Sequence, residues 1–145
     1  MLITRPLFTF ELAVAAPVDI TQETRVIPLG EGRVSGIFEG RILAGGADWQ
    51  RLHADGSLEI SARYVLERAD GARVEVRSDG VRTGSPEVLA ALAQGHAVPA
   101  EQYYFRTHMR FSTDVSDLRR LNHVLAVSVG ERQATRVRLS VHEVL

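Results

Sequence analysis

The chain has 145 residues, of which 45% are hydrophobic and 24% charged, with 17 basic residues, 18 acidic residues and no cysteine. This composition is typical of one globular domain spanning residues 1–145, and it excludes disordered and collagen-like chains. The absence of cysteine excludes disulfides, thiol nucleophiles and iron–sulfur sites. Every basic residue is arginine, which also excludes a Schiff-base lysine and a Walker phosphate loop.

The near-neutral charge balance points away from nucleic acids and from anionic membrane surfaces. Either partner requires an unopposed basic patch that displaces counterions, whereas here the formal net charge is −1. Apolar runs are short, and none approaches the roughly 18 residues that a membrane-spanning helix needs. We therefore expect no nucleic-acid partner and no membrane partner.

The segment Pro6–Val18 is the first predicted element, and it has two readings. It is apolar and contains Ala13-Val14-Ala15 near its end, which resembles a signal peptide with its cleavage site. However, Glu11 interrupts the apolar run, and hydrophobic residues recur with period two, as in a half-buried strand. These residues are Phe8, Phe10, Leu12 and Val14. We interpret the segment as the first strand and expect a cytoplasmic protein.

Strand and turn signals dominate the next part of the chain. Thr24–Leu29 and Ile37–Leu43 are short β-like runs separated by glycines. Three further strands are predicted at Trp49–His53, Leu58–Arg68 and Arg73–Arg77, because Asp-Gly pairs between alternating runs are typical of hairpins. In the middle strand, Leu58, Ile60, Ala62, Tyr64 and Leu66 share the face that is expected to pack on the core.

A helix is predicted at Pro86–Gln94, with Ser85 as its N-cap and Gly95 at its end. The rest of the chain predicts strands at Gln102–Ser112, Val124–Val129 and Val137–Val144, a helical turn at Ser116–Asn122, and a link at Gly130-Glu131-Arg132. Eight to ten short strands with one short α-helix predict an all-β fold, an antiparallel β-barrel or a closely related sandwich.

Several blocks of sequence, in order along nearly the whole chain, resemble one family. They are Arg33–Leu43, Gly45-Gly46-Ala47-Asp48-Trp49-Gln50, Asp55-Gly56, Ala62-Arg63-Tyr64, Gly80–Gly84 with Arg82 inside it, Tyr104-Phe105-Arg106-Thr107, Phe111 and Leu121-Asn122. The family is the domain of unknown function 3237 family, also called uncharacterised protein family 0311. This resemblance implies a lipocalin-like β-barrel that self-associates, and it carries no established activity with it.

Three positions depart from the pattern that is typical of the family. Ser61 stands where an acid often precedes Ala-Arg-Tyr, His108 where a proline often follows Phe-Arg-Thr, and Arg120 where an aromatic residue often precedes Leu-Asn. An activity that needs an acid at position 61 is therefore not expected. Asp48, Glu59 and Glu75 are the remaining candidates for a carboxylate in a pocket.

Asp48 and Trp49 form the first candidate site, because two glycines before them let the backbone bend sharply. Asp48 is the candidate general base or polar anchor, and Trp49 is the candidate wall of a small-molecule pocket. The alternative is a barrel corner, in which Asp48 accepts hydrogen bonds from backbone amides and Trp49 belongs to the core.

Arg63 is the second candidate for a polar anchor, because it belongs to the blocks that resemble the family. The alternative for the charged residues on this face of the strand is that they form ion pairs in solvent. Tyr104 and Arg106 lie on one face of their strand with His108 and Arg110. This row is suited either to an anionic or hydroxylated ligand or to a subunit interface. Asn122 is a further candidate ligand contact, and the alternative is that it ends the helical turn.

No pattern of metal ligands is present among the five histidines, and no glycine-rich loop opens a helix. We therefore expect no metal and no other cofactor. The leading hypothesis is a barrel that binds a small organic metabolite, and drug-sized ligands need a cavity of roughly 300 Å³ or more. The alternatives are a cofactor-free cyclase, isomerase or hydrolase with Asp48 as its base and Arg63 or Arg106 as oxyanion donor, and an interaction module with a filled core. We expect a homo-oligomer.

Overall fold

A computed structural model describes all residues, 1–145. It contains ten strands, one α-helix and two short 3₁₀ helices. The strands are β1 Thr4–Val14, β2 Val18–Asp19, β3 Thr24–Gly36, β4 Gly40–Ile42, β5 Ala47–Leu52, β6 Leu58–Arg68, β7 Arg73–Gly84, β8 Tyr103–Ser112, β9 Leu125–Arg132 and β10 Arg136–Val144. The α-helix, α1, is Pro86–Ala93, and the 3₁₀ helices are Ala100–Gln102 and Ser116–His123.

The strands other than β2 form one closed antiparallel barrel, and β2 pairs only with β3. The hydrogen-bonded order runs β1-β10-β9-β8-β7-β6, then β4 and β5, which both lie between β6 and β3, and then β3. β3 pairs back onto β1 with Phe10 opposite Val34, which closes the ring. The predicted all-β barrel with one short α-helix is therefore confirmed, and closure protects the sheet from exposed edges.

Local signals located several elements correctly. Gly56 and Gly71 have φ angles of 89° and 88° in the two Asp-Gly turns, a conformation that glycine adopts without the cost a side chain imposes. The Ser85 hydroxyl accepts a hydrogen bond from the Val88 amide at 3.2 Å, so the predicted N-cap of α1 is present. The first segment forms β1, a strand in the wall of the barrel.

Four predicted boundaries differ from the structure. The predicted strand Ile37–Leu43 shortens to β4, Gly40–Ile42, and three other boundaries are wrong because the ladder continues beyond the runs of apolar residues. β3 extends to Gly36 and β7 extends to Gly84. The predicted link Gly130-Glu131-Arg132 is part of β9, with Gly130 opposite Leu139, and the turn follows at residues 133–135. A Cβ atom at residue 130 would lie 2.6 Å from the Phe105 ring, so glycine stands here because an aromatic ring packs on the strand.

Alternation along the strands separates an apolar interior from a polar exterior. The face of β6 that was expected to pack on the core is buried along its length. Phe8 packs against Phe10, Phe38 and Phe111 with ring centroids 5.2 to 5.9 Å apart, and these rings fill one end of the barrel. α1 joins β7 to β8 at the opposite end, called here the helix end, and buries Leu89 and Leu92.

We predict that Gly130→Ala lowers the free energy of unfolding by about 1 to 3 kcal/mol, because the added methyl group overlaps the Phe105 ring. Urea unfolding measures the change. Gly84→Ala is the control, since the nearest atom to its added Cβ is 3.4 Å away. Equal stability of Gly130→Ala and the wild type would contradict the packing described here.

Candidate functional site

A cavity of about 150 Å³ lies inside the barrel and extends from its middle to the helix end. Of the 20 residues that line it, 12 are hydrophobic, so most of its wall is apolar. The lining residues are Leu12, Val14, Pro17, Arg25, Ile27, Leu29, Asp48, Gln50, Ile60, Ala62, Tyr64, Ser78, Arg82, Leu92, Ala93, Phe105, Thr107, Arg132, Val137 and Leu139. An apolar enclosure with a few converging polar groups is the usual form of a small-molecule site.

Asp48 is the only acid in the cavity wall, and β5 turns its side chain inward. The residue is 9% exposed, and its carboxylate accepts hydrogen bonds from the Gln50 amide at 2.7 Å and from the Ser61 backbone amide at 3.1 Å. Burial raises the pKa of this carboxyl, and the two hydrogen bonds and the charges of Arg25 and Arg82 oppose the effect. A buried carboxylate with a raised pKa is suited to accept a proton from a bound molecule.

Gln50 connects Asp48 to the first of three arginines. Its amide oxygen accepts a hydrogen bond of 2.8 Å from Arg25 Nε, while its amide nitrogen donates to Asp48. Both ends of the amide are thereby assigned, because only the oxygen can accept and only the nitrogen can donate. The chain from Arg25 through Gln50 to Asp48 holds the carboxylate in one orientation.

Arg82 and Arg132 complete a cationic cluster with Arg25 in the cavity wall. None of the three has a carboxylate within ion-pair distance, although most other arginines of the chain do. Arg82 is 8% exposed, and its Nε is buried without a hydrogen-bond partner. Burial lowers its pKa to about 10, and the charges of Arg132 and Arg25 act in the same direction. Arg82 is therefore a buried cation without a partner at neutral pH.

Tyr64 places an unpartnered hydroxyl in the same cavity. Its ring packs edge-on against Phe10 at 5.9 Å, and its oxygen is buried without a hydrogen bond. Burial and the negative charge of Asp48 raise the pKa of this phenol, and the neighbouring Ser78 hydroxyl opposes the effect without reversing it, so Tyr64 remains protonated at neutral pH. Thr107 and Ser128, by contrast, satisfy each other with a hydrogen bond of 2.6 Å. The Tyr64 hydroxyl and Arg82 Nε are thus two fully buried side-chain polar atoms without a hydrogen-bond partner.

Trp49, Tyr104 and Arg106 lie outside the barrel and not in the cavity with Asp48. Neighbouring residues of a strand point to opposite faces, so the same strand that turns Asp48 inward turns Trp49 outward, where it is 58% exposed. The three residues do lie together, in an open groove across β5 to β8 that we call the outer groove. The guanidinium carbon of Arg106 stands 4.8 Å from the centre of the Tyr104 ring. The single pocket expected from Asp48 and Trp49 is therefore divided between two sides of the sheet.

Arg63 and Asn122 are also distant from the cavity. Arg63 is exposed and pairs with Glu75 at 3.0 Å. The Asn122 side chain accepts from the Thr113 amide at 2.9 Å and donates to the Thr113 and Arg119 carbonyls at 2.8 and 3.1 Å. Asn122 thus fastens the 3₁₀ helix to the end of β8, and both N–H groups of its amide are used within the protein.

The sequence interpretation missed the cationic cluster, although a signal for part of it was present. In β7 the inward positions continue from Val74 and Val76 through Ser78 and Gly80 to Arg82. Extending the alternation to the end of that strand would have placed Arg82 inside. Arg25 and Arg132 lie at a strand start and a strand end, where alternation over a few residues gives little information.

Histidine, aspartate and glutamate side chains nowhere gather in groups of three or more that could hold a metal ion. None of the helices combines the length and the apolar character required to cross a membrane.

The chain belongs to the DUF3237 family, described as a protein of unknown function, whose family model matches residues 3–144. It is 38% identical over 121 residues to the UPF0311 protein blr7842 of Bradyrhizobium diazoefficiens, which covers 83% of this chain and 80% of that protein. The resemblance seen in the sequence is thereby confirmed.

Solved structures support the fold independently. The conserved protein of unknown function RPA1785 from Rhodopseudomonas palustris matches 100% of this chain and 98% of its own, with a TM-score of 0.96 and 35% identity. A β-barrel-like protein from Acinetobacter baumannii AYE matches with a TM-score of 0.84, 34% identity, and coverage of 100% and 97%. An enzyme from Penicillium herquei matches with a TM-score of 0.71 and 18% identity over 99% and 95% of the two chains, which shows a shared fold alone.

We predict that Asp48→Asn changes how stability depends on pH. The folded-state pKa of Asp48 lies above its unfolded value of 3.8. At a pH below 3.8 the carboxyl is protonated in both states, and its burial then costs little. As the pH rises from that value through the raised pKa, the buried carboxyl must ionise or stay protonated at a cost, so the free energy of unfolding decreases. Because asparagine does not titrate, the wild type should lose stability relative to Asp48→Asn as the pH increases above about 4.

Urea unfolding at several pH values measures this difference. Asp114→Asn is the control, because it makes the same change on an exposed loop. A difference between wild type and Asp48→Asn that does not vary with pH would contradict the proposed burial of the Asp48 charge.

Proposed function

We propose that the protein binds a small organic molecule in the cavity at the helix end of the barrel. The observation that carries the proposal is the buried pair of unpartnered polar groups, Tyr64 and Arg82, which face an otherwise apolar enclosure. Leaving a buried polar group without a partner costs about 1 to 3 kcal/mol. A bound molecule that hydrogen-bonds to both groups recovers that free energy, and the apolar wall stabilises the rest of it.

The size of the cavity limits the ligand. About 150 Å³ is half of what a drug-sized molecule needs, but it equals the volume of an engineered protein cavity that binds benzene. We therefore expect a single small ring or a short chain inside the barrel. A larger metabolite must extend past α1, whose Leu92 and Ala93 form part of the wall.

A cofactor-free enzyme is the second candidate, and the environment of Asp48 favours it. Burial raises the pKa of this carboxyl, and the Arg82 cation lies in the same cavity to stabilise a developing oxyanion. Arg63 and Arg106 are not suited to that role together with Asp48, because both lie outside the barrel. An enzyme that uses Asp48 as its base loses turnover but keeps its affinity in Asp48→Asn, whereas a simple binding protein has no turnover to lose. The third candidate, an interaction module with a filled core, is less well supported, because the interior of the barrel contains open space.

We predict that Ala62→Leu weakens binding of small ring compounds, because Ala62 lines the cavity and leucine fills part of it. The probes are phenol, benzyl alcohol and benzamide, and ligand-observed NMR measures their binding. At least one probe should bind the wild type, and Ala62→Leu should weaken it by about tenfold or more.

Arg63→Leu is the matched control, because it introduces the same side chain one residue further along β6, on the outside. It should leave binding unchanged. If no probe binds the wild type, or if Arg63→Leu weakens binding more than Ala62→Leu does, the cavity is not the ligand site.

We also propose that the outer groove is the contact between copies of this chain. Val81 and Val129 flank Arg106 in adjacent strands, and together with Trp49 and Tyr104 they expose an apolar surface. The groove carries both acids and bases, Glu59 and Asp79 with Arg51 and Arg106. A two-fold interface places the same surface on both subunits, so mixed charges allow each copy to pair with the other.

We predict that the wild type elutes as a dimer in size-exclusion chromatography with light scattering, and that Val81→Arg shifts it towards the monomer. The reason is that the substitution replaces part of the exposed apolar surface of the groove with a long charged side chain. Leu125→Arg, at an exposed position of β9 outside the groove, is the control. A monomeric wild type would disprove this proposal.

We further expect the protein to act in the cytoplasm. Residues 4–14 form β1, which is bonded to both β10 and β3. Cleavage after Ala15 would therefore remove a strand from the wall of the barrel, so this segment is not suited to serve as a removable signal peptide.

A further inference from the structure

Charge in the cavity points to the kind of molecule it holds. Three arginines, Arg25, Arg82 and Arg132, share the wall with one carboxylate, that of Asp48. Two donors already bind that carboxylate, and it forms no ion pair with an arginine. Asp19 influences Arg25 from outside the lining. The cluster therefore has more positive than negative charge, with Arg82 buried and Arg25 and Arg132 half-buried.

Arg82 is the centre of this imbalance. It is more than nine-tenths buried, its Nε has no partner, and its nearest charged groups include two further cations. Burying like charges together is costly unless an opposite charge compensates them. Within the cavity wall the protein supplies only Asp48 for this purpose, so a negatively charged ligand would compensate the remaining positive charge.

The geometry of the guanidinium groups and the apolar character of the cavity wall indicate which class of anion the cavity would bind. A guanidinium presents parallel N–H groups that match the two oxygens of a carboxylate. Next to the cluster, the wall is made of Leu12, Ile27, Ile60, Phe105 and Leu139, which offer nothing to a hydrated inorganic ion but pack well on a ring or a short chain. The volume admits about one ring.

We propose that the ligand is a small organic carboxylate, whose carboxylate binds Arg82 with Arg25 and Arg132 around it and whose apolar part occupies the middle of the barrel. This inference rests on the proposed function, because it assigns a chemical class to the molecule in the same cavity. The Tyr64 hydroxyl lies on the inner wall of that cavity and can donate a hydrogen bond to a polar group on the far side of the ligand.

Benzoate and benzamide test the inference, because they have nearly the same shape and differ in charge. Isothermal titration calorimetry on the full chain should show that benzoate binds about tenfold or more tightly than benzamide, as a charge-assisted hydrogen bond implies. Arg82→Gln should weaken benzoate by about tenfold or more and leave benzamide unchanged. Arg77→Gln, on the exposed face of the same strand, should change neither.

Each outcome of these titrations either supports or contradicts the proposed carboxylate ligand. If benzamide binds as well as benzoate, or binds alone, the anion class is wrong while the proposed function stands. Equal weakening of both compounds in Arg82→Gln means that Arg82 only supports the structure. Binding of inorganic phosphate alone would show a simple anion site without the apolar part. If neither ring compound binds, the inference fails, and the neutral probes above decide separately whether the cavity binds anything.

Arg132→Gln provides a second variant should Arg82→Gln fold poorly, since Arg132 is less buried and lies on a different strand. It should weaken benzoate and spare benzamide in the same way. Circular dichroism establishes for each variant that the barrel is intact. If benzoate binds Arg132→Gln as tightly as the wild type, the cluster does not act as one anion site.

Discussion

Closure of the barrel is the constraint on which the other features depend. β1 pairs with both β10 and β3, so every long strand has one inward and one outward face. A shift of one residue therefore moves a side chain from the interior to the surface. This is why Asp48 reaches the cavity while its neighbour Trp49 lies in the outer groove, and why the two sides of one sheet offer two different surfaces.

The two ends of the interior differ in chemistry. One end is filled by packed phenylalanines, whereas the helix end holds Arg25, Asp48, Arg82 and Arg132 around open space. The aromatic packing stabilises the barrel, and this allows the helix end to keep unpartnered polar groups that would otherwise be costly. Destabilising features such as unpartnered buried polar groups occur commonly at the sites where proteins bind ligands. The ligand hypothesis thus follows from an uneven distribution of stabilising and destabilising contacts along the barrel axis.

The sequence was sufficient for the fold and for one member of the site. Period-two alternation, Asp-Gly turns and the capped helix are local signals, and they predicted the barrel and the inward face of β6. Asp48 was identified because it follows two glycines. The cationic cluster was not, because it assembles from β3, β7 and β9, which are far apart in the sequence and meet only when the ring closes. Trp49 and Arg106 were grouped with Asp48 by their residue types, a criterion that takes no account of which face each side chain occupies.

The comparisons define the family and leave the chemistry to the site itself. The solved structures from Rhodopseudomonas palustris and Acinetobacter baumannii share this barrel at 35% and 34% identity. Within that frame, the central claim is that the ligand lies inside the barrel at the helix end. A crystal structure of the protein purified without denaturation tests it most directly. The account predicts electron density for a small molecule in contact with Arg82 and Asp48, and it would be contradicted by water alone in the cavity with a bound molecule against Trp49 and Tyr104 outside.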